Sequence, residues 1–125
     1  SMIHFTPHMR IFVATSALDM RKGIDGVALV CRTKLSSDPM SGAVFVFTNR
    51  SRKMIRLLSY DGQGYWIATK RLSQGRFPFW PTGTLEVSEI EAHEIQILIR
   101  GGDPRQVRVL EPWKKIENFE KKLAS

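Results

Sequence analysis

The dipeptide Asp61-Gly62, set between two stretches of strand-like residues, is the strongest constraint on how this chain can fold. Glycine accepts the positive φ that a tight turn needs, so Met54–Tyr60 and Gly64–Lys70 are predicted to fold back on each other as an antiparallel hairpin. A further stretch, Ala43–Thr48, comes just before and is joined by Asn49-Arg50-Ser51-Arg52-Lys53, which extends the hairpin into a meander. Ala43–Phe47 is apolar at every position, a pattern that suits a central strand covered on both faces. Such a strand needs other parts of the chain above and below it.

The remaining segments supply candidates. Met9–Thr15 reads as a short strand. Asp19 offers an N-cap for a helix over Met20–Leu35, with Met20, Ile24, Val27, Cys31 and Leu35 on one apolar stripe. Gly23 and Gly26 in its first turn imply close approach to something, a strand more readily than a phosphate. Gly75-Arg76-Phe77-Pro78-Phe79-Trp80-Pro81, with two prolines so near each other, is expected to be an ordered aromatic loop. Thr84–Val87 is a possible last strand. Ser88-Glu89-Ile90-Glu91 matches a capping box for a helix over Ile90–Arg100, ended by Gly101-Gly102. Pro112 opens a C-terminal helix with Trp113, Ile116, Phe119 and Leu123 on one side, a stripe that calls for burial in its own domain or against a partner. The expected fold is α+β: an antiparallel sheet of four to five strands with one packed helix and C-terminal helices. Residues 1–103 would form a single domain and residues 104–125 a helical extension.

Charge is concentrated on the meander. Of a net charge of +7, residues 41–85 carry +6: seven Lys and Arg (Arg50, Arg52, Lys53, Arg56, Lys70, Arg71, Arg76) against the lone acid Asp61. Residues 1–40 contribute +2 and residues 86–125 contribute −1. The cations are interleaved with Phe45, Phe47, Tyr60, Tyr65, Trp66, Phe77, Phe79 and Trp80. Cations bind phosphates and flat rings can stack on bases, so this pattern suits nucleic acid. An acidic protein partner and a merely solvated face are the competing readings of the same charges. Trp66 and Trp80 are the candidates for stacking, although large aromatics are more often packed in cores. Arg21 and Lys22, beside Gly23 near a helix start, form a second candidate anion site.

Other chemistry finds little support. The single Cys31 excludes an internal disulfide and a thiolate zinc cluster, and its place on the apolar stripe suits the core. His4 and His8 lie beside Pro7 in a stretch with no helical pattern, and His93 suits a helix surface. Phosphodiester cleavage with two metals needs several carboxylates at one point. Asp19, Asp25, Asp38 and Asp61 read instead as a cap, an exposed helix position and two turn residues. No catalytic residue, metal site or cofactor is expected. No run approaches the roughly 20 apolar residues of a membrane helix, and the expected location is the cytoplasm of a bacterium.

Several blocks taken together resemble a known family. They are Asp19-Met20-Arg21-Lys22-Gly23 with Asp25-Gly26, Asp38-Pro39 with Ser41-Gly42-Ala43, Phe45-Val46-Phe47 with Asn49-Arg50, Tyr60-Asp61-Gly62-Gln63-Gly64, Lys70-Arg71-Leu72, and Gly75-Arg76-Phe77. Their order and spacing over roughly residues 8 to 103 resemble the TnpB-type accessory proteins of the insertion-sequence-66 family of bacterial transposable elements. Members tend to read straight from Arg-Phe to Trp-Pro, whereas this chain inserts Pro78-Phe79. The resemblance implies a non-catalytic role in DNA transposition beside a separate transposase that carries the acidic residues. It makes DNA and that transposase the expected partners, with a homodimer through the C-terminal helix as a further possibility. Two other readings stay open at this point: a module that docks on the transposase without strong DNA contact, and a nuclease with a hidden site.

Overall fold

The computed structural model describes residues 5–103. Its core is a five-stranded sheet in the order β4-β3-β2-β1-β5. The strands are β1 (Ile11–Ala14), β2 (Val44–Thr48), β3 (Met54–Tyr60), β4 (Tyr65–Arg71) and β5 (Val87–Ile90). Helix α1 spans Ile24–Thr33 and helix α2 spans Ala92–Ile99. The α+β expectation holds, and the meander pairs in register, with Phe45 opposite Leu58 and Leu58 opposite Ile67. One pairing differs from a wholly antiparallel sheet. β1 and β2 run parallel because α1 crosses between them. The C-terminal stripe Trp113, Ile116, Phe119 and Leu123, with the expected extension 104–125, lies outside the described residues.

Every residue of β2 is buried, as an all-apolar central strand requires. Alternation along the strands divides its side chains between two layers. On one face Phe45 and Phe47 pack with Ala14 and Leu58 under Val27, Ala28, Cys31 and Leu35 of and after α1. On the other, Val44 and Val46 pack with Ile11, Val13, Ile55 and Leu57 beneath Ile95 and Leu98 of α2. Phe77 and Trp80 complete that second layer, so the proline-bracketed loop serves as a piece of core. Full burial of a side chain like Phe77 is worth about 2–3 kcal/mol.

Three element boundaries move for physical reasons. The first helix begins at Ile24 instead of Met20. Arg56 on β3 donates from Nη1 to the carbonyls of Met20 (2.9 Å) and Lys22 (3.0 Å), which takes those acceptors away from helical bonding. Asp19 therefore caps a turn: its Oδ1 accepts from the Arg21 amide at 3.0 Å, and Gly23 stands at the helix N-cap. Ile24 is correspondingly exposed instead of lying on the buried stripe. Open space surrounds Gly23, while Gly26 is approached by the stem of Lys22, whose Cβ would lie 3.2 Å from an added methyl. The neighbour is a side chain of the same turn and not a strand.

The last strand lies three residues beyond the expected start, at Val87–Ile90, because Ser88, Glu89 and Ile90 pair with Val13, Phe12 and Ile11. Residues in that ladder cannot also open a helix. The helix N-cap accordingly moves from Ser88 to Glu91, whose amide donates to Glu94 Oε1 at 3.0 Å. Gly101, at φ +87°, and Gly102 end α2 as expected, donating to the carbonyls of Leu98 and Ile97.

Candidate nucleic-acid interface

The topology brings most of the candidate cations to one end of the sheet. β2 ends and β3 begins there, so the connecting loop places Arg50, Arg52 and Lys53 at that end. β4 finishes beside the start of β3, with Arg71 opposite Met54, and Arg76 follows in the next loop. The loop is built to hold its shape. Asn49 Oδ1 accepts from the amides of Lys53 (2.9 Å) and Met54 (3.2 Å), and Arg52 takes a left-handed conformation with φ +57°. Two backbone bonds join it to the following loop: Phe77 N–H donates to the Arg52 carbonyl at 2.7 Å, and Leu72 N–H to the Lys53 carbonyl at 2.9 Å. Burial of Phe77 anchors the second loop, and through it the first.

Five of the candidate cations extend from this platform without a partner. Among the described residues, no hydrogen bond or ion pair engages the side chains of Arg50, Arg52, Lys53, Arg71 or Arg76. Four other cations are used or placed differently. Arg56 is half-buried and spends Nη1 on the two carbonyls before α1 and Nε on Thr69 Oγ1 at 3.0 Å. Lys70 Nζ donates to the Ile99 carbonyl at 2.8 Å, tying β4 to the end of α2, and lies over the Phe77 ring. Arg21 forms an exposed pair with Asp19 at 2.8 Å. That guanidinium, together with the Arg21 amide, holds the Asp19 carboxyl well below the usual carboxylate range. Lys22 stands on the adjoining turn, with its stem across Gly26.

The two tryptophans have opposite fates. Trp80 is only 8% exposed, and its Nε1 donates to the Ala14 carbonyl at 2.8 Å. Its ring is packed in the core and cannot stack on a base, which corrects the expectation for that residue. Trp66 is 70% exposed on β4, near the opposite end of the sheet from the basic loops. Its Nε1 donates to Asp61 Oδ2 at 2.7 Å, which holds the indole against the hairpin turn. Asp61 Oδ1 accepts the amides of Gln63 and Gly64, and these bonds followed by the indole bond lower its pKa. A ring so placed is accessible but lies apart from the main cation cluster.

The four candidate aspartates do not converge. Asp19 sits in the turn after β1 at the basic end, whereas Asp61 sits in the β3–β4 turn at the other. Asp38 Oδ1 caps a turn through the Met40 amide, and Asp25 is exposed in the first turn of α1. Among the described residues, no three His, Cys, Asp or Glu side chains are grouped to hold a metal. His4 lies outside those residues. Cys31 is buried, and that burial pushes its thiol up to about 12. No helix among the described residues is long and apolar enough to cross a membrane.

The fold also opens a cleft of about 360 Å³ beside the basic loop. Leu18 N–H donates to the Thr48 carbonyl at 2.8 Å, which lays the segment after β1 along the end of β2. Lys22 and Arg50 meet at this cleft. So do Lys34 and Glu86, which the sequence does not mark: each is an ordinary surface residue until the fold brings α1 and the approach to β5 together.

Comparison with known proteins places these features in context. The family of IS66 Orf2-like proteins matches residues 9–109. The uncharacterized protein y4hO of Sinorhizobium fredii is 35% identical over 107 residues, covering 86% of this chain and 90% of that protein. A second from the same organism, the uncharacterized protein y4jC, is 34% identical over 102 residues, covering 80% of this chain and 85% of that protein. No solved structure matches the chain.

Proposed function

The chain belongs to the family of IS66 Orf2-like proteins, and from that membership we propose that it is a non-catalytic accessory protein of DNA transposition that grips DNA with the basic end of its sheet. One observation carries the DNA contact: Arg50, Arg52, Lys53 and Arg76 lie on two loops fastened to each other by the bond from Phe77 N–H to the Arg52 carbonyl, with Arg71 beside them at the end of β4. A preformed set of unengaged cations meets phosphates without first breaking internal ion pairs. Long side chains on fixed backbone reach along a polyanion with little regard to base identity, so the contact is with the DNA backbone. The scatter of Asp19, Asp25, Asp38 and Asp61 over separate turns and a helix supports a role beside a catalyst instead of as one.

The test is a salt titration of duplex DNA binding, with the wild-type protein and the combined variant Arg50→Gln, Arg52→Gln, Lys53→Gln. Wild-type affinity should fall steeply with salt, and the variant should bind more weakly with a slope shallower by roughly one per lost phosphate contact. Equal affinity and slope in the two proteins would remove the loop from the interface. Binding that ignores salt and requires the transposase would favour a docking module instead. Magnesium- or manganese-dependent nicking by the purified protein would overturn the non-catalytic reading.

A further inference from the structure

We propose that the cleft between α1 and the end of β2 is a binding site for a nucleotide carrying a phosphomonoester, as found at a phosphorylated DNA strand end. The inference rests on the reading of the basic end as a DNA surface only for the source of that nucleotide. Three cations from three elements meet at the cleft: Lys22 in the turn before α1, Lys34 at the C-terminal end of α1 and Arg50 in the β2–β3 loop. None of the three side chains is engaged by a hydrogen bond or ion pair among the described residues. Two acids also line the cleft, Asp19 and Glu86. Asp19 is already neutralised by Arg21, which bonds it through Nε and Nη2. The three cations less Glu86 leave a formal charge of +2 among the residues that line the cleft. A phosphomonoester carries about −1.5 to −2 at neutral pH, while a phosphodiester within a strand carries −1, so the charge suits a terminal phosphate.

The shape agrees. The site is a concave cleft lined by both cations and apolar side chains. About 360 Å³ lies at the lower end of the volumes that hold small ligands, roughly 300–1,000 Å³. Leu18, Leu35 and Phe47 give the cleft an apolar floor, and all three are core residues that do not need to move. A sugar and base can cover that floor while the phosphate meets the lysines and Arg50. Glu86, which also lines the cleft, can accept a hydrogen bond from a base amino group or a sugar hydroxyl. The cleft lies at the carboxyl ends of the parallel strands β1 and β2.

The test has two arms on the same protein. In the first, a deoxynucleoside monophosphate, the matching deoxynucleoside and inorganic phosphate are each titrated while methyl resonances of Leu18, Val30 and Leu35 are followed by NMR. The monophosphate should shift these signals saturably, and the unphosphorylated nucleoside should not. Lys34→Gln, an exposed substitution past the end of α1, should weaken monophosphate binding about tenfold, the effect of losing one charge-assisted contact. In the second arm, blunt duplexes with and without terminal phosphates are compared. Tighter binding of the phosphorylated duplex, reduced by Lys34→Gln, identifies the strand end as the source. Saturation by the monophosphate with equal affinity for both duplexes identifies a free nucleotide in the same site. No saturable shift, or shifts unaltered by Lys34→Gln, would overturn the site. Binding of the dephosphorylated duplex with its salt dependence is read separately, so failure of the cleft and failure of the DNA surface give different results.

Discussion

Phe77 N–H donates to the carbonyl of Arg52 at 2.7 Å, so a fully buried aromatic residue fixes the backbone of a half-buried arginine whose side chain has no hydrogen-bond or ion-pair partner among the described residues. Core packing on one layer of the sheet thereby sets the position of charges at its end. Stability and binding can be separated wherever one residue takes part in only one of the two.

Arg52 is such a residue. Its φ of +57° is a conformation that glycine adopts freely and most side chains resist. Arg52→Gly should leave the melting temperature unchanged or raise it slightly, the relief being no more than about 1 kcal/mol. DNA affinity should fall, with a shallower salt slope. A large loss of stability in this variant would mean that the side chain, and not only its carbonyl, supports the loop.

Arg56 should behave in the opposite way. Its guanidinium satisfies the carbonyls of Met20 and Lys22 and binds Thr69. Arg56→Ala should destabilise the protein by about 1–3 kcal/mol, read by chemical denaturation, because charge-assisted bonds are lost and their acceptors are left open. Full stability in Arg56→Ala, with DNA binding reduced, would return this arginine to the interface.

The tryptophans give a paired comparison. Trp80→Phe removes the donor to the Ala14 carbonyl inside the core and should cost about 1–3 kcal/mol. Trp66→Phe, at an exposed position, should change stability by less than about 1 kcal/mol. Denaturation curves of the two variants test the assignment directly, and equal destabilisation would contradict it.

The bond from Trp66 to Asp61 predicts a pH response. The Asp61 carboxylate accepts the amides of Gln63 and Gly64 and the indole N–H, so its pKa in the folded protein lies below the unfolded value. Its contribution is therefore present at neutral pH, where folded and unfolded forms are both ionised. It disappears as pH falls through the lowered folded value. The Trp66 indole N–H resonance should shift with a midpoint below about 3.9, the ordinary aspartate value. A midpoint at or above that value would show that the turn does not favour the charged form.

Local sequence carried the meander well, because a hairpin depends on residues close in the chain: Asp61-Gly62 and the flanking alternation suffice. Boundaries set by distant partners were not legible. The start of α1 depends on Arg56, 34 and 36 residues beyond the carbonyls it holds. The displaced capping box depends on pairing with β1, which claims Ser88 to Ile90 for the sheet. Charge pattern pointed to the loop cations, yet it could not separate Arg50 from Arg56, since alternation does not tell which guanidinium finds a carbonyl. Nor could it separate Trp66 from Trp80, because burial is decided by layers that assemble from across the chain. Lys34 and Glu86 carry no local signal, and only the crossover that makes β1 and β2 parallel brings their elements to one cleft.

The edge strand β5 has a further consequence for the order of assembly. Its partner is β1, and the bridging pair Arg10 and Glu89 lies 79 residues apart in the chain. Closing so long a loop carries an entropic cost that the short turns of the meander avoid, so β2, β3 and β4 can pair before β5 arrives. A nascent chain then exposes the unpaired edge of β1, together with the apolar layer that α2 will cover, until residues near 90 have emerged. During synthesis this sheet has an open side through which one copy could capture another's β5, and the risk ends only when its own closing strand docks.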